Sequence, residues 1–413
     1  MDRIYTLITV LFFLVIWMMP AQVTAQSSSN YELIPAPDLW YNDVDGIRIG
    51  VRVKGQVPGT FEDGPHRLDA GVWLSTWFPD LPVSYYASYT NSIVRWSDFG
   101  SEASYQAITS VRAGYHRHGL ALNKRWQEGF DERRYRELSL FNSYEKRFDD
   151  EYAAFPSLWS DGDKLKSTLS AEIKNDNGLG WYRFNASLMV QYANSSYTQL
   201  KGEFRQDIPL DEHWGFKVRF FSGISSANAA PEYLFSRSMV PAHETIFNGV
   251  TRAKGTIPQS WMESGNFHIS GGANLRGYTG QDVETYTDAS TDPNQPVVPF
   301  LLNSVVSMNA EFDYFNPIDQ AFEGIPYASD FLTFRSYLFF DAGRSLQLIE
   351  NEPDNLFADA GAGFSLSLNI PDYLGKPRGF VFKYELPFWL SETGMEDSFK
   401  LRHLFSFGAV FSL

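Results

Sequence analysis

The 413-residue chain has no cysteine. That excludes disulfide staples and thiolate metal sites, and it is compatible with an exported protein. After an N-terminal apolar run, no stretch of roughly eighteen apolar residues occurs, so no helix is available to cross a bilayer. Basic residues are the scarcer sign: 34 Lys and Arg stand against 49 Asp and Glu, for a net charge of -15. This balance argues against nucleic-acid binding. Catalytic spacings are missing as well. His243-Glu244 has no second His to complete a zinc-peptidase His-Glu-x-x-His, and no Gly-x-Ser-x-Gly marks a serine nucleophile. Gly271-Gly272 lacks the Lys-Ser/Thr of a phosphate loop, and His116 and His118 have no third ligand tied to them by spacing. The expectation is a non-enzyme with no catalytic residues, no metal and no cofactor.

What the chain has is alternation. In the last ten residues Phe405, Phe407, Ala409, Phe411 and Leu413 share one face, and Ser406, Gly408, Val410 and Ser412 share the other. In water so apolar a terminal strand would be an aggregation edge. A membrane barrel needs such a strand to meet its first strand and turn an apolar face to lipid. Alternating segments recur at 47–54, 68–75, 83–89, 104–114, 119–126, 136–146, 164–174, 182–192, 198–208, 214–224 and, more weakly, 264–272. Five clear ones follow at 304–315, 332–343, 358–370, 379–389 and 401–413. The fold class is therefore all-β: a transmembrane antiparallel β-barrel of about sixteen strands. Aromatics make up 16% of the chain, as interfacial girdles require. The mean hydropathy of -0.27 is no obstacle, because a barrel shows lipid only every second residue.

At the N-terminus, Asp2 and Arg3 precede an apolar run from Ile4 to Met19, then Pro20 and Val23-Thr24-Ala25. This pattern predicts a signal peptide over 1–25. A short segment, 26–44, would precede a barrel over 45–413, and it is too short for a separate periplasmic domain. With 47–54 as strand one and a periplasmic N-terminus, Pro79–Pro82, Tyr115–Gly119, Ala193–Tyr197 and Pro371–Arg378 read as inner turns. The connections around 149–162 and 316–330 are then longer than inner turns should be.

Two motifs carry a resemblance. Leu275-Arg276-Gly277-Tyr278 stands in the long connection before the last five strands, and Phe339-x-Asp341-x-Gly343 ends the second of those strands. In this order and position they resemble the superfamily of outer-membrane assembly and secretion barrels (the BamA, TamA and FhaC types, the bacterial surface antigen barrel). Ser406, Gly408, Phe411 and Leu413 resemble the C-terminal signal read by outer-membrane assembly machinery. The resemblance implies a bacterial outer-membrane location and one long loop folded into the lumen, whose Arg276 meets the wall at Asp341, with Phe339 and Gly343 beside it and Glu311 as a second inward carboxylate. It also implies a scaffold that inserts or transports polypeptide or lipid through the seam between first and last strands, or through the lumen. The implied partners are outer-membrane lipid, the assembly machinery during biogenesis and a possible periplasmic protein. A passive solute pore and an anchor for a separately encoded periplasmic partner are the alternatives.

Overall fold

The computed structural model describes residues 31–411 apart from 43–45, 59–63, 78–81, 150–159, 239–242, 248–249, 254–271, 280–300, 319–320, 322–331, 349–354, 371–377, 394–396 and positions 113, 128, 130, 132 and 212. The expected signal peptide and Leu413 thus lie outside the described residues.

Six strands open the chain: β1 (Glu32–Asn42), β2 (Gly46–Gln56), β3 (Arg67–Ser75), β4 (Val83–Ser92), β5 (Ser101–Arg112) and β6 (Tyr115–Gln127). Then come β7 (Tyr135–Arg147), β8 (Lys164–Asp176), β9 (Trp181–Gln191), β10 (Tyr197–Pro209) and β11 (Gly215–Ser225). The connection 226–303 holds five short strands: β12 (Phe235–Ser238), β13 (His243–Phe247), β14 (Val250–Ala253), β15 (Gly272–Leu275) and β16 (Leu301–Leu302). The chain ends on β17 (Ser304–Asp313), β18 (Leu332–Arg344), β19 (Phe357–Ile370), β20 (Arg378–Leu390) and β21 (His403–Phe411). The sixteen long strands pair antiparallel in sequence order, β11 pairs directly with β17, and β21 returns to β1.

Two differences from the alternation pattern cancel in the count. The strand expected to open the barrel, 47–54, is the second. Glu32–Asn42, inside the segment expected to precede the barrel, pairs with β2 from Glu32↔Gln56 to Asn42↔Gly46. The boundary expected at 45 therefore falls within the first hairpin. Conversely, β11 and β17 pair directly with no strand between them; residues 264–271 lie outside the described residues, and Gly272 belongs to β15. The extra strand also reverses the end assigned to every connection before residue 226. Pro79–Pro82 and Ala193–Tyr197 share an end with the 226–303 connection, as does 148–163, whose length is then unexceptional. Tyr115–Gly119 is not a turn; it begins β6, after a two-residue connection.

The solvent outside this sheet is not water. Leu122, Leu140, Leu169, Leu188 and Leu200 are cross-strand partners in one continuous row, and all five are exposed. Their sequence neighbours of opposite phase turn inward, where Arg48, Arg52, Lys164, Lys166, Glu145 and Gln191 are buried. Charge inside and leucine outside inverts the arrangement of a soluble protein, as hydrocarbon surroundings demand. Leu140→Arg is expected to cost about 2–4 kcal/mol, measured as a lower urea midpoint in lipid vesicles. An unchanged midpoint would place the row outside the bilayer core.

Candidate functional site

Described parts of the connection 226–303, residues 232–237 and 272–279, pack inside the barrel. Within it β12 pairs with β15 and β16 to make a small sheet. Its apolar side packs on the wall: Phe235, Ala273, Leu275, Tyr278 and Leu302 form a buried core with Phe221, Val305, Phe357 and Leu390. Asn274 adopts a left-handed conformation (φ 57°), which asparagine tolerates, immediately before Leu275-Arg276-Gly277-Tyr278.

Arg276 is 6% exposed and faces three carboxylates. Its Nε and one terminal nitrogen donate to the two oxygens of Asp341, each at 2.8 Å. The other terminal nitrogen donates to Glu311 at 2.7 Å and Glu385 at 3.0 Å. Its backbone amide also donates to Asp341, at 3.2 Å. The fork therefore spends its planar geometry on one bidentate carboxylate and bridges to two more. Phe339 is the floor, with the guanidinium carbon 4.0 Å from its ring centroid. That ring lies over Gly361, where an added Cβ would come within 2.3 Å of it. Burial alone would lower the guanidinium's pKa, yet Asp341, Glu385 and Glu311 together raise it well above its ordinary value. It is a fixed cation.

The surrounding groups lock this arrangement. Asn309 donates to Asp341 at 3.0 Å and to the Ala273 and Asn274 carbonyls, so it ties wall to loop. Arg219 donates to Asn309 at 2.8 Å and to the Gly272 carbonyl at 3.1 Å. Arg335 holds Glu311 at 2.6 Å from the inner side, and Tyr337 donates to Glu385 at 2.7 Å. Tyr278 reaches the far connection: its hydroxyl accepts from the Glu392 amide at 3.1 Å, and its ring meets Phe357 edge-on at 5.5 Å. Gly343 sits 3.3 Å from Ala273 as measured from a hypothetical Cβ, so the wall is smooth where β15 presses on it. At Gly277 the approach is closer still. A Cβ there would stand 2.4 Å from Leu390 and 2.8 Å from the Asp359 Cβ. Gly277→Val should lift the tetrad from the wall and expose the loop to protease in intact membranes; an unaltered digest would show that the approach has slack.

The structure thus brings Leu275, Arg276, Gly277, Tyr278, Glu311, Phe339, Asp341 and Gly343 together. It adds Glu385, Asn309 and Tyr337, which the two motifs do not contain. Asp359 lies beside them, directly across from Asp341 in the β18–β19 pairing, buried, with its carboxyl against Asp341 and the Gly277 backbone. Ser406, Gly408 and Phe411 lie in β21, the strand paired with β20. His116 and His118 share a face with the exposed Leu120 and Leu122, and His118 contacts Thr109 at 2.7 Å. Among the described residues no three metal-ligating side chains converge.

A second attachment lies across the lumen. Glu232, at the start of the connection, accepts from Lys164 at 2.6 Å, with both side chains 1% exposed. Lys164 also donates to the Tyr115 hydroxyl at 3.3 Å. Beside it Lys166 bridges Glu145 at 2.5 Å and the Tyr233 hydroxyl at 3.2 Å. The two attachments have opposite polarity: a loop cation among wall acids, and a loop acid among wall cations.

At the seam, β1 and β21 pair among the described residues at Leu39↔Phe411, Trp40↔Val410 and Tyr41↔Ala409.

No protein-family model matches the sequence, and no curated protein matches it. Among solved structures, the chain is similar to BamA from Haemophilus ducreyi lacking POTRA domains 1–3, with a TM-score of 0.50 and 14% identity, over 93% of this chain and 71% of that one. It is also similar to CdiB from Acinetobacter baumannii, with a TM-score of 0.43 and 11% identity, over 94% of this chain and 60% of that one. A bacterial polysaccharide outer membrane secretin gives a TM-score of 0.38 at 8% identity, over 94% of this chain and 97% of that one. The likeness to BamA is one of fold. The fold is that of a bacterial outer-membrane β-barrel.

Proposed function

We propose that this protein scaffolds the insertion or passage of a polypeptide or lipid at the outer membrane, and that the β1–β21 seam is the part that opens. The observation that carries this reading is the disparity in pairing. Among the described residues the seam holds three residue pairs, whereas β20–β21 holds seven, β1–β2 eleven and β6–β7 thirteen. In hydrocarbon each unsatisfied backbone group costs several kcal/mol, so a barrel opens where the fewest pairs must part. The doubly anchored loop makes a standing solute pore the weaker reading. Lipid is the surrounding partner, the assembly machinery would act during biogenesis, and a periplasmic protein would supply cargo.

The absence of native cysteine gives a clean test. Leu39→Cys with Phe411→Cys places two thiols on directly opposed residues, within disulfide reach. In vesicles, oxidation should abolish folding of an added outer-membrane precursor or abolish lipid transfer, and reduction should restore it. Single-channel recordings should stay closed in both states. Undiminished activity with the seam locked, or steady conductance of the native protein, would overturn the reading.

A further inference from the structure

The free edge of β21 is shared between two partners. β20 occupies its other edge from Gly379↔Val410 to Glu385↔Leu404. On the free edge β1 reaches only Ala409, Val410 and Phe411, because β1 ends at Asn42. Further along that edge β14 runs parallel to β21, with Val250↔His403, Thr251↔Leu404 and Arg252↔Phe405. β14 is held in turn by β13, antiparallel, from His243↔Ala253 to Phe247↔Val250. The same connection that plugs the lumen therefore sends a hairpin out to the seam.

An exposed edge of apolar strand is a template for any other strand. The seam leaves two such half-edges, and the chain blocks each differently. On β1 the stretch below Leu39 has no partner in β21 among the described residues, and it carries Pro35 and Pro37, which remove donors and repel a pairing strand. On β21 the stretch above Ala409 contains Leu404, Phe405 and Phe407 and no proline. There the hairpin stands in. We infer that β13–β14 is a displaceable cap: a strand of the protein's own that occupies the β21 edge and keeps it from pairing with an extended polypeptide until one enters the seam. Its weakness suits that task. The contact is three residues long and parallel, which is the less stable pairing per residue, and a two-stranded hairpin has little stability of its own. The incoming strand rests on the function proposed above; the cap itself does not.

Two measurements decide it on the folded, full-length chain in lipid. First, Thr251→Cys with Leu404→Cys should form a disulfide on mild oxidation at a rate matching the Leu39/Phe411 cysteine pair. Second, a barrel carrying Thr251→Pro, which cannot complete the parallel ladder, should lose hydrogen-exchange protection at 403–405. It should also bind a labelled synthetic peptide of this chain's own 243–254 sequence at least about tenfold more tightly than the unaltered barrel. Failure of the first pair to crosslink while the seam pair does would overturn the proposal. So would equal peptide binding by the two barrels. Neither readout needs transport, so a barrel that moves no cargo would still give both, and failure of the functional reading remains distinguishable.

Discussion

Arg276→Ala is expected to release the loop from the lumen wall and to lower barrel stability by on the order of 3–5 kcal/mol, the usual effect of breaking a buried ion pair. The reason is what remains. Asp341 is 0% exposed and Glu385 2%, and without the guanidinium they lie buried beside Glu311 and Asp359 and lose the cation that bridges them. New protease cuts between roughly 275 and 300 in intact membranes should accompany a lower unfolding midpoint. Arg276→Lys should rescue only part, since an ammonium cannot make the two parallel contacts to Asp341. The charge swap, Arg276→Asp with Asp341→Arg, should restore little, because an aspartate at 276 would face Glu311 and Glu385. A digest identical to that of the native protein would show that the loop is held by its apolar core instead.

Glu232→Ala should produce a loss of similar size on the opposite wall. Lys164 would lose its carboxylate partner in a site walled by Tyr115 and Tyr233, with its nitrogen 5.2 Å from the Tyr233 ring centroid. Those rings compensate only in part: a cation over an aromatic face is worth about 0.5–2 kcal/mol. The double variant Glu232→Leu with Lys164→Met should recover most of the loss, because replacing both partners of a buried pair by apolar groups is often neutral. Unfolding midpoints of the native protein, Glu232→Leu, Lys164→Met and the double variant, measured in one lipid, give the coupling directly. Additive losses would mean that the pair is packed together without being coupled.

The architecture was legible because a barrel writes its two solvents into alternate residues. Leu332, Phe334, Leu338 and Phe340 against Arg335, Tyr337, Phe339 and Asp341 name outside and inside without any structure. β1 was hidden for the reason it is tolerated: Pro35 and Pro37 break the strand signature, and a strand with an unpaired edge can accommodate them. The tetrad and the Phe339–Gly343 segment were readable as motifs. Glu385 was readable only in hindsight, as the acid following Lys383 on the polar phase of a strand whose other phase is Phe380, Phe382 and Tyr384. Glu232 with Lys164 left no signal at all. Their separation of 68 residues is fixed by how a loop folds back across a lumen, which no periodicity records.

The loop's ligands also set an order in time. Arg276 precedes every acid that binds it: Glu311 comes 35 residues later, Asp341 65 and Glu385 109. As the chain emerges, the plug exists before its socket, and its last contact arrives on the penultimate strand. The wall is therefore built around the loop, and the last side of the socket is laid down just before the strand that completes the circuit. An assembling barrel that lost its final two strands would hold an arginine still short of one of its three carboxylates. Contacts of such long sequence separation form late and slowly. Here that slowness makes a seated plug the mark of a finished barrel.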